Sequence, residues 1–139
     1  MSGENVEVVL GQFSDLNSRD FAAVTDAWSD SAVLVLHGDL LSIGGAGSEG
    51  GAIGKEAIVR WFSDWFTTFG RDYRFEMHET RDLGDRVLAD ATHHAAGRAS
   101  RVPVTNRTAW VFTIYGGKIE RCDAYSSRSE ALEAVELSE

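Results

Sequence analysis

The stretch of the chain that most constrains its fold is residues 110–135, WVFTIYGGKIERCDAYSSRSEALEAV. Two alternating apolar runs flank the pair Gly116-Gly117, and a two-residue glycine link of this kind is typical of a tight β-hairpin. The returning strand carries one carboxylate, Asp123, among residues that should pack. A charged group on such a strand lowers stability unless it is paired or solvated, or it is kept because it serves binding or catalysis. Asp123 is therefore the first candidate functional residue.

Helical periodicity is clear in two long segments. Residues 4–17 carry an apolar stripe that includes Val9, Phe13 and Leu16, which predicts an amphipathic helix. A stronger stripe places six large apolar residues at helical spacing: Ile58, Trp61, Phe62, Trp65, Phe66 and Phe69. Gly70 is predicted to end this second helix.

The segment between these two helices is predicted to hold a short helix, a strand and a loop. Asp20 can cap a helix whose inner face includes Trp28, and residues 32–36 then form a buried strand that ends at His37. Residues 38–54 contain seven glycines, a composition that favours a rim or lid loop over packed structure.

Strand patterns dominate the rest of the chain. Alternation begins at Tyr73, turn residues at Gly84-Asp85 favour a hairpin, and Ser127 with Glu130 forms a capping box that opens a final helix. We therefore predict an α+β fold: a curved antiparallel sheet wrapped on a layer of three helices, with a short C-terminal helix. At 139 residues, the chain is expected to form a single domain over residues 1–139.

The charge and composition disfavour several classes of function. The chain has 13 basic and 22 acidic residues and a net charge of -9, which repels nucleic acid and anionic lipid surfaces. Its longest apolar run, residues 32–36, is too short to span a bilayer. The N-terminal residues do not resemble a signal peptide, and Cys122 is the single cysteine, so we expect a cytoplasmic protein.

Three segments carry a resemblance to a known superfamily: GKEAIVRWFSDW at 54–65, LGDRVLADAT at 83–92 and GGKIERCDAYSSRSEALEAV at 116–135. With the two leading helices, they resemble the nuclear transport factor 2-like superfamily, and most closely the SnoaL-like polyketide cyclases and relatives of ketosteroid isomerase. The resemblance implies a cone-shaped pocket between sheet and helices, and often a homodimer through the outer sheet face. It leaves the activity open, because this fold hosts many functions.

The resemblance also implies roles for individual residues. In the cyclases a catalytic acid/base aspartate follows the Gly-Lys-Ile hairpin on the last strand, which corresponds to Asp123. The isomerases use a tyrosine on the first helix, but the first tyrosine here is Tyr73. They also place a base carboxylate at the end of the first strand, where this chain has His37, with Asp39 just beyond. A steroid isomerase is therefore disfavoured, and His37 is a candidate for the base.

The local sequence offers two interpretations of Asp123. Alternation along the strand gives it the same face as Ile119, Arg121 and Tyr125. If that face lines the pocket, loss of solvent should raise the pKa of Asp123 and suit it to proton transfer. The alternative is an ion pair with Arg121 or Arg107, or exposure to solvent.

Two histidines complete the catalytic candidates. His93 is in register with small residues, Ala89, Ala91 and Ala95, on a face that could line a cavity. His37 closes a buried strand at a position where functional residues are often presented. A structural role is the alternative for both side chains.

Aromatic side chains and one arginine are the candidate ligand-binding residues: Trp28, Trp61, Trp65, Arg107, Trp110 and Tyr125. Packing explains the tryptophans equally well.

The glycine motif at residues 45–50 lacks the βα context of a dinucleotide site. A metal site starting at His37 and Asp39 has no third ligand set by spacing. We therefore expect neither a cofactor nor a metal.

The preferred hypothesis is a cofactor-independent enzyme that moves a proton next to the carbonyl group of a small hydrophobic compound. Asp123 would act as the base and then the acid, with His93, His37 or Tyr125 donating a hydrogen bond to the enolate oxygen. Cyclisation, isomerisation and dehydration all fit this chemistry. The alternative is a small-molecule-binding or interaction domain that performs no reaction.

Overall fold

The structure is a computed structural model that describes residues 2–37, 51–69, 73–96, 103–125 and 127–137. Its helices are α1 (Ser2–Ser18), α2 (Phe21–Asp26), α3 (Lys55–Phe69) and α4 (Arg128–Leu137). Its strands are β1 (Trp28–Leu36), β2 (Gly51–Ile53), β3 (Arg74–Asp82), β4 (Arg86–Ala96), β5 (Pro103–Tyr115) and β6 (Lys118–Tyr125).

The six strands of the described chain form one curved, open sheet in the order β2-β1-β6-β5-β4-β3. Neighbouring strands are antiparallel except β1 and β6, which run parallel, with Val35 paired to Asp123 and Leu36 to Ala124. The predicted α+β class is confirmed. The parallel pair joins the first strand along the chain, β1, to the last one, β6, a contact that no local turn could reveal.

The helices α1, α2 and α3 cover one face of the sheet, which we call the inner face. The core between them contains Phe13, Phe62, Phe75 and Trp110, all at most 4 % exposed. Phe13 packs edge-on against Phe75, Trp110 and Phe112 at centroid separations of 5.1 to 5.9 Å. Edge-on aromatic contacts therefore join α1 to the inner face of the sheet.

The short helix α4 packs on the opposite face of the sheet, which we call the outer face. Its residues Ala131 and Val135 join Leu88, Ala109 and Val111 in a second, smaller buried cluster. The Ser127 hydroxyl accepts a hydrogen bond from the backbone N–H of Glu130 at 3.2 Å, so Ser127 caps the final helix as predicted. One end of the outer face is thus covered, which creates the wall of a groove.

An irregularity in the β5–β6 ladder sets which residues of β6 face outward. Thr113 pairs with Arg121 and Ile114 pairs with Ile119, so Glu120 is an extra residue without a partner in the ladder. Such a bulge reverses the alternation of side chains. Ile119 consequently lies in the inner core while Asp123 lies on the outer face, so the predicted shared face of these two residues is wrong.

The Gly116-Gly117 hairpin is confirmed, with positive φ angles of 59° and 80° at the two glycines. These angles suit the turn because glycine adopts them without steric cost.

Two predicted boundaries differ from the structure. Trp28 begins β1 instead of closing α2, and residues 51–53 of the glycine-rich segment form β2 against β1.

The other predictions for that segment, including Asp39 and the glycine motif at 45–50, lie outside the described residues, as does Gly70.

Candidate functional site

A groove on the outer face, between β5, β6 and α4, is lined by polar side chains on one side and apolar side chains on the other. It has a volume of about 320 Å³. Its lining residues are His37, Arg86, Val111, Thr113, Arg121, Asp123, Tyr125, Ala134 and Val135. A concave site with an apolar wall and several convergent polar groups is the usual form of a small-molecule site.

The parallel pairing of β1 and β6 places His37 beside Asp123. The strand β1 ends one residue before His37, whose backbone N–H donates to the carbonyl of Ala124 at 2.9 Å. Because side chains alternate along a strand, His37 follows Val35 onto the outer face. The His37 Nε2 and Asp123 Oδ1 atoms are 2.8 Å apart. Two of the three predicted catalytic residues therefore lie in direct contact.

Arg121 holds the other edge of the Asp123 carboxylate. Its Nε donates to Oδ2 at 2.9 Å and its Nη2 donates to Oδ1 at 3.0 Å. Burial pushes the pKa of Asp123 upward, but the hydrogen bonds from Arg121 and His37 outweigh it and hold the pKa below its usual value. The predicted rise is therefore wrong, because charged partners compensate the lost solvent. Of the predicted alternatives, the Arg121 ion pair is the one observed.

Tyr125 fixes the plane of the His37 ring. The two rings stack at a centroid distance of 4.4 Å and an interplanar angle of 9°. Burial, followed by the negative charge of Asp123, raises the pKa of Tyr125. The imidazole is thus held at one edge by a carboxylate and on one face by a neutral phenol, which restricts its orientation.

The third predicted catalytic residue, His93, lies on the inner face and is 7 % exposed. Its Nδ1 contacts the hydroxyl of Tyr73 and its Nε2 contacts the hydroxyl of Thr108, which also accepts from the Trp110 indole N–H at 2.9 Å. Burial, followed by the charge of His94, lowers the pKa of His93 to about 3. His93 is therefore a neutral, fully bonded core residue remote from the groove.

The predicted ligand-binding residues are dispersed. Trp28 and Trp110 are buried in the inner core at 1 % and 2 % exposure. Trp61 and Trp65 stack on each other at 5.2 Å and are partly exposed on α3. Arg107 forms a two-point ion pair with Asp90, at 2.6 and 3.0 Å, instead of contacting Asp123. Of this set, the groove includes Tyr125.

Two polar groove residues, Arg86 and Thr113, were not identified from the sequence. Neither has a distinctive motif, and both face the groove because α4 packs on the outer face. The amphipathic pattern of α4 indicates one buried side but cannot indicate which face of the sheet it covers. No local signal could have found them.

No cluster of three or more His, Cys, Asp or Glu side chains among the described residues has the geometry to bind a metal ion. Within the same residues, every helix is too short or too polar to cross a membrane.

Comparisons with known proteins agree with this architecture. The family model for the SnoaL-like domain matches residues 9–122. Comparison with curated protein sequences gives no match. TerC, co-crystallised with polyporic acid, is 19 % identical with a TM-score of 0.75, and the alignment covers 96 % of this chain and 98 % of TerC.

Two further solved structures share the fold. A protein from Catenulispora acidiphila with a ketosteroid isomerase-like fold, in complex with trimethylamine, is 17 % identical with a TM-score of 0.72; the alignment covers 91 % of this chain and 90 % of that one. A candidate polyketide cyclase from Sinorhizobium meliloti is 24 % identical with a TM-score of 0.67, covering 89 % and 98 %. The solved structures show a shared nuclear transport factor 2-like fold, and the family-model match over residues 9–122 shows that this chain belongs to the SnoaL-like domain family.

Proposed function

We propose that the protein is a cofactor-independent acid/base enzyme that moves a proton at the carbon next to a carbonyl group of a small molecule bound in the outer-face groove. The observation that carries this proposal is the 2.8 Å contact between His37 Nε2 and Asp123 Oδ1 at the edge of that groove. A base held by a second, orienting group is the usual arrangement of an acid/base pair.

The contact supports different roles for the two residues. A carboxylate accepts hydrogen bonds, so Asp123 favours the tautomer of His37 that carries its proton on Nε2. The lone pair of Nδ1 is then available to take a proton from substrate. Asp123 is already bonded by Arg121 and His37 and its pKa is lowered, so it serves as a positioning residue rather than the base.

The reaction begins when His37 Nδ1 removes the proton beside the carbonyl. The electron pair of the broken C–H bond forms the enolate, whose oxygen becomes negative near the guanidinium groups of Arg86 and Arg121. Return of the proton to the same carbon gives exchange, and return to another carbon of the conjugated enolate gives isomerisation. In cyclisation the enolate carbon forms a bond to a second carbonyl carbon, and His37 gives its proton to the resulting alkoxide oxygen. In dehydration the enolate re-forms the carbonyl as the C–O bond of a hydroxyl on the next carbon breaks, and that hydroxyl takes the proton and leaves as water. General acid/base catalysis of this kind typically contributes ~10²–10⁴-fold.

The proposal is tested by proton exchange, because that step precedes every outcome above. Small enolisable ketones, keto acids and keto esters are incubated with the protein in D₂O, and loss of the proton signal beside the carbonyl is followed by NMR. The variant His37→Gln keeps an amide N–H within reach of Asp123 but removes the base. His94→Gln is the matched control, since His94 is bonded to Glu76 at 2.7 Å, outside the groove.

We expect exchange in the wild type and in His94→Gln, and a loss of about 10²-fold or more in His37→Gln. Equal exchange rates in the wild type and His37→Gln would rule out the role of His37. A wild type that exchanges none of the compounds above the uncatalysed rate would contradict the enzyme proposal as a whole.

A second candidate function is small-molecule binding without chemistry. It is favoured by the two-point bond between Arg121 and Asp123, because such a pair can simply stabilise the edge of a binding groove. The same NMR samples discriminate between the candidates. Shifts of the groove resonances on addition of a compound, with no exchange, would support binding alone.

A further inference from the structure

The described lining of the groove has more basic than acidic side chains, although the chain as a whole is acidic. The whole chain has 22 acidic and 13 basic residues, yet the groove lining contains two guanidinium groups, Arg86 and Arg121, against one carboxylate, Asp123. An excess of basic side chains around a groove favours a ligand that carries a negative charge.

Arg121 retains donor capacity after it binds Asp123. A guanidinium has five N–H donors, and Asp123 occupies one on Nε and one on Nη2. The Arg121 side chain is 51 % exposed, so the remaining donors are accessible. A second anionic group could therefore bind the same guanidinium without displacing Asp123.

The remaining lining of the groove limits the size of the ligand. Val111, Ala134 and Val135 supply an apolar wall, and the volume of about 320 Å³ is near the lower end of the range for small-molecule sites. A compact compound with one short apolar part fits this space better than a fused multi-ring compound.

From this lining we infer that the substrates are small carboxylate-bearing carbonyl compounds, that is, keto acids, whose carboxylate binds at Arg121 and Arg86. The inference rests on the proposed function and replaces the hydrophobic substrate expected from the sequence. With the carboxylate held there, the carbon beside the carbonyl can approach Nδ1 of His37, which stacks on Tyr125 at the same groove.

The chemistry balances without another reactant. His37 takes the proton, the electron pair of the C–H bond moves onto the carbonyl oxygen, and the guanidinium groups offset the added negative charge. The same two arginines thus serve binding before the reaction and charge stabilisation during it.

The test compares a short-chain keto acid with its neutral primary amide, which has nearly the same shape. Affinity is measured by NMR titration of the wild type and of Arg86→Gln and Arg121→Gln, with Arg60→Gln as the control. Arg60 is an exposed arginine of α3 that does not line the groove. Arg86→Gln is informative because it leaves the Arg121–Asp123 contact in place.

We expect the acid to bind the wild type and Arg60→Gln about 10- to 100-fold more tightly than the amide, as charged hydrogen bonds would give. Each groove variant should reduce this ratio, and added salt should reduce it in the wild type. Equal affinity for acid and amide, or an unchanged ratio in both groove variants, would overturn the inference.

The proton-exchange assay on the same two compounds separates this inference from the proposed function. If the amide exchanges its proton as fast as the acid does, and both rates depend on His37, the substrate class would be contradicted and the enzyme proposal would stand. Tighter binding of the acid without any His37-dependent exchange would contradict the enzyme proposal and leave the anion site standing.

Discussion

Acidification is expected to destabilise the protein through His93. This ring is buried at 7 % exposure, and its pKa is lowered to about 3, first by burial and second by the charge of His94. In the unfolded chain the ordinary histidine pKa is about 6.5. The unfolded state therefore binds more protons between these two values, so the free energy of unfolding falls as the pH falls below about 6.5.

The size of this effect follows from the two pKa values. Between pH 7.5 and pH 5.0 the free energy of unfolding should fall by about 2 kcal/mol from His93 alone. The assay is urea unfolding of the wild type and His93→Gln at both pH values. The amide of glutamine can still bond to Tyr73 or Thr108 but does not titrate, so the variant should lose this part of the pH dependence.

The adjacent residue provides the control. His94 lies on the other face of β4 and bonds to Glu76 at 2.7 Å, so His94→Gln should keep the loss of stability seen at pH 5.0 in the wild type. If His93→Gln lost as much stability on acidification as the wild type does, the assignment of His93 as a buried, neutral core residue would be refuted.

Three further predictions concern stability and can be measured by urea unfolding. Gly51→Ala should destabilise the protein by about 3 kcal/mol or more, because its Cβ would lie 1.8 Å from the carbonyl oxygen of Leu34 and φ is 141°; a wild-type value would contradict the β1–β2 pairing. Gly11→Ala should stabilise α1 by about 1 kcal/mol, since beyond its chain neighbours and the backbone of its own helix no atom lies within 4 Å of the added Cβ; any loss would indicate an unexpected contact. Arg107 lowers the pKa of buried Asp90, so Asp90→Asn should lower stability at pH 7 and lessen its fall below about pH 4; unaltered acid sensitivity would contradict the ion pair.

The parts of the fold that were predicted correctly depend on local chemistry. The Gly116-Gly117 turn needs positive φ angles that glycine adopts readily, and its flanking strands alternate clearly. The helix α3 was evident because its large apolar residues repeat at the helical period. Signals of this kind depend only on residues close in sequence.

The parts that were missed depend on contacts between distant residues. The pairing of β1 with β6 joins Val35 to Asp123, and nothing near either residue specifies that register. The extra residue Glu120 reverses the alternation on β6, so strict counting assigned Asp123 to the wrong face. A bulge of one residue is enough to make such a prediction fail.

The candidate site was therefore predicted only in its components. Asp123 and His37 were each singled out for local reasons, a carboxylate on a packing strand and a histidine at a strand end. Their contact, the two-point bond from Arg121 and the stacking of Tyr125 follow from the tertiary arrangement. The role proposed for Asp123 changes with it, because a carboxylate that is already bonded orients a base better than it acts as one.

The central claim is that Asp123 holds His37 in one tautomer with Nδ1 available to the groove. Long-range ¹H–¹⁵N correlation NMR of the histidine rings, at a pH where His37 is neutral, measures this directly, with His37→Gln assigning the resonances. The account predicts a proton on Nε2 and a lone pair on Nδ1. A proton on Nδ1, or rapid averaging between both tautomers, would contradict it.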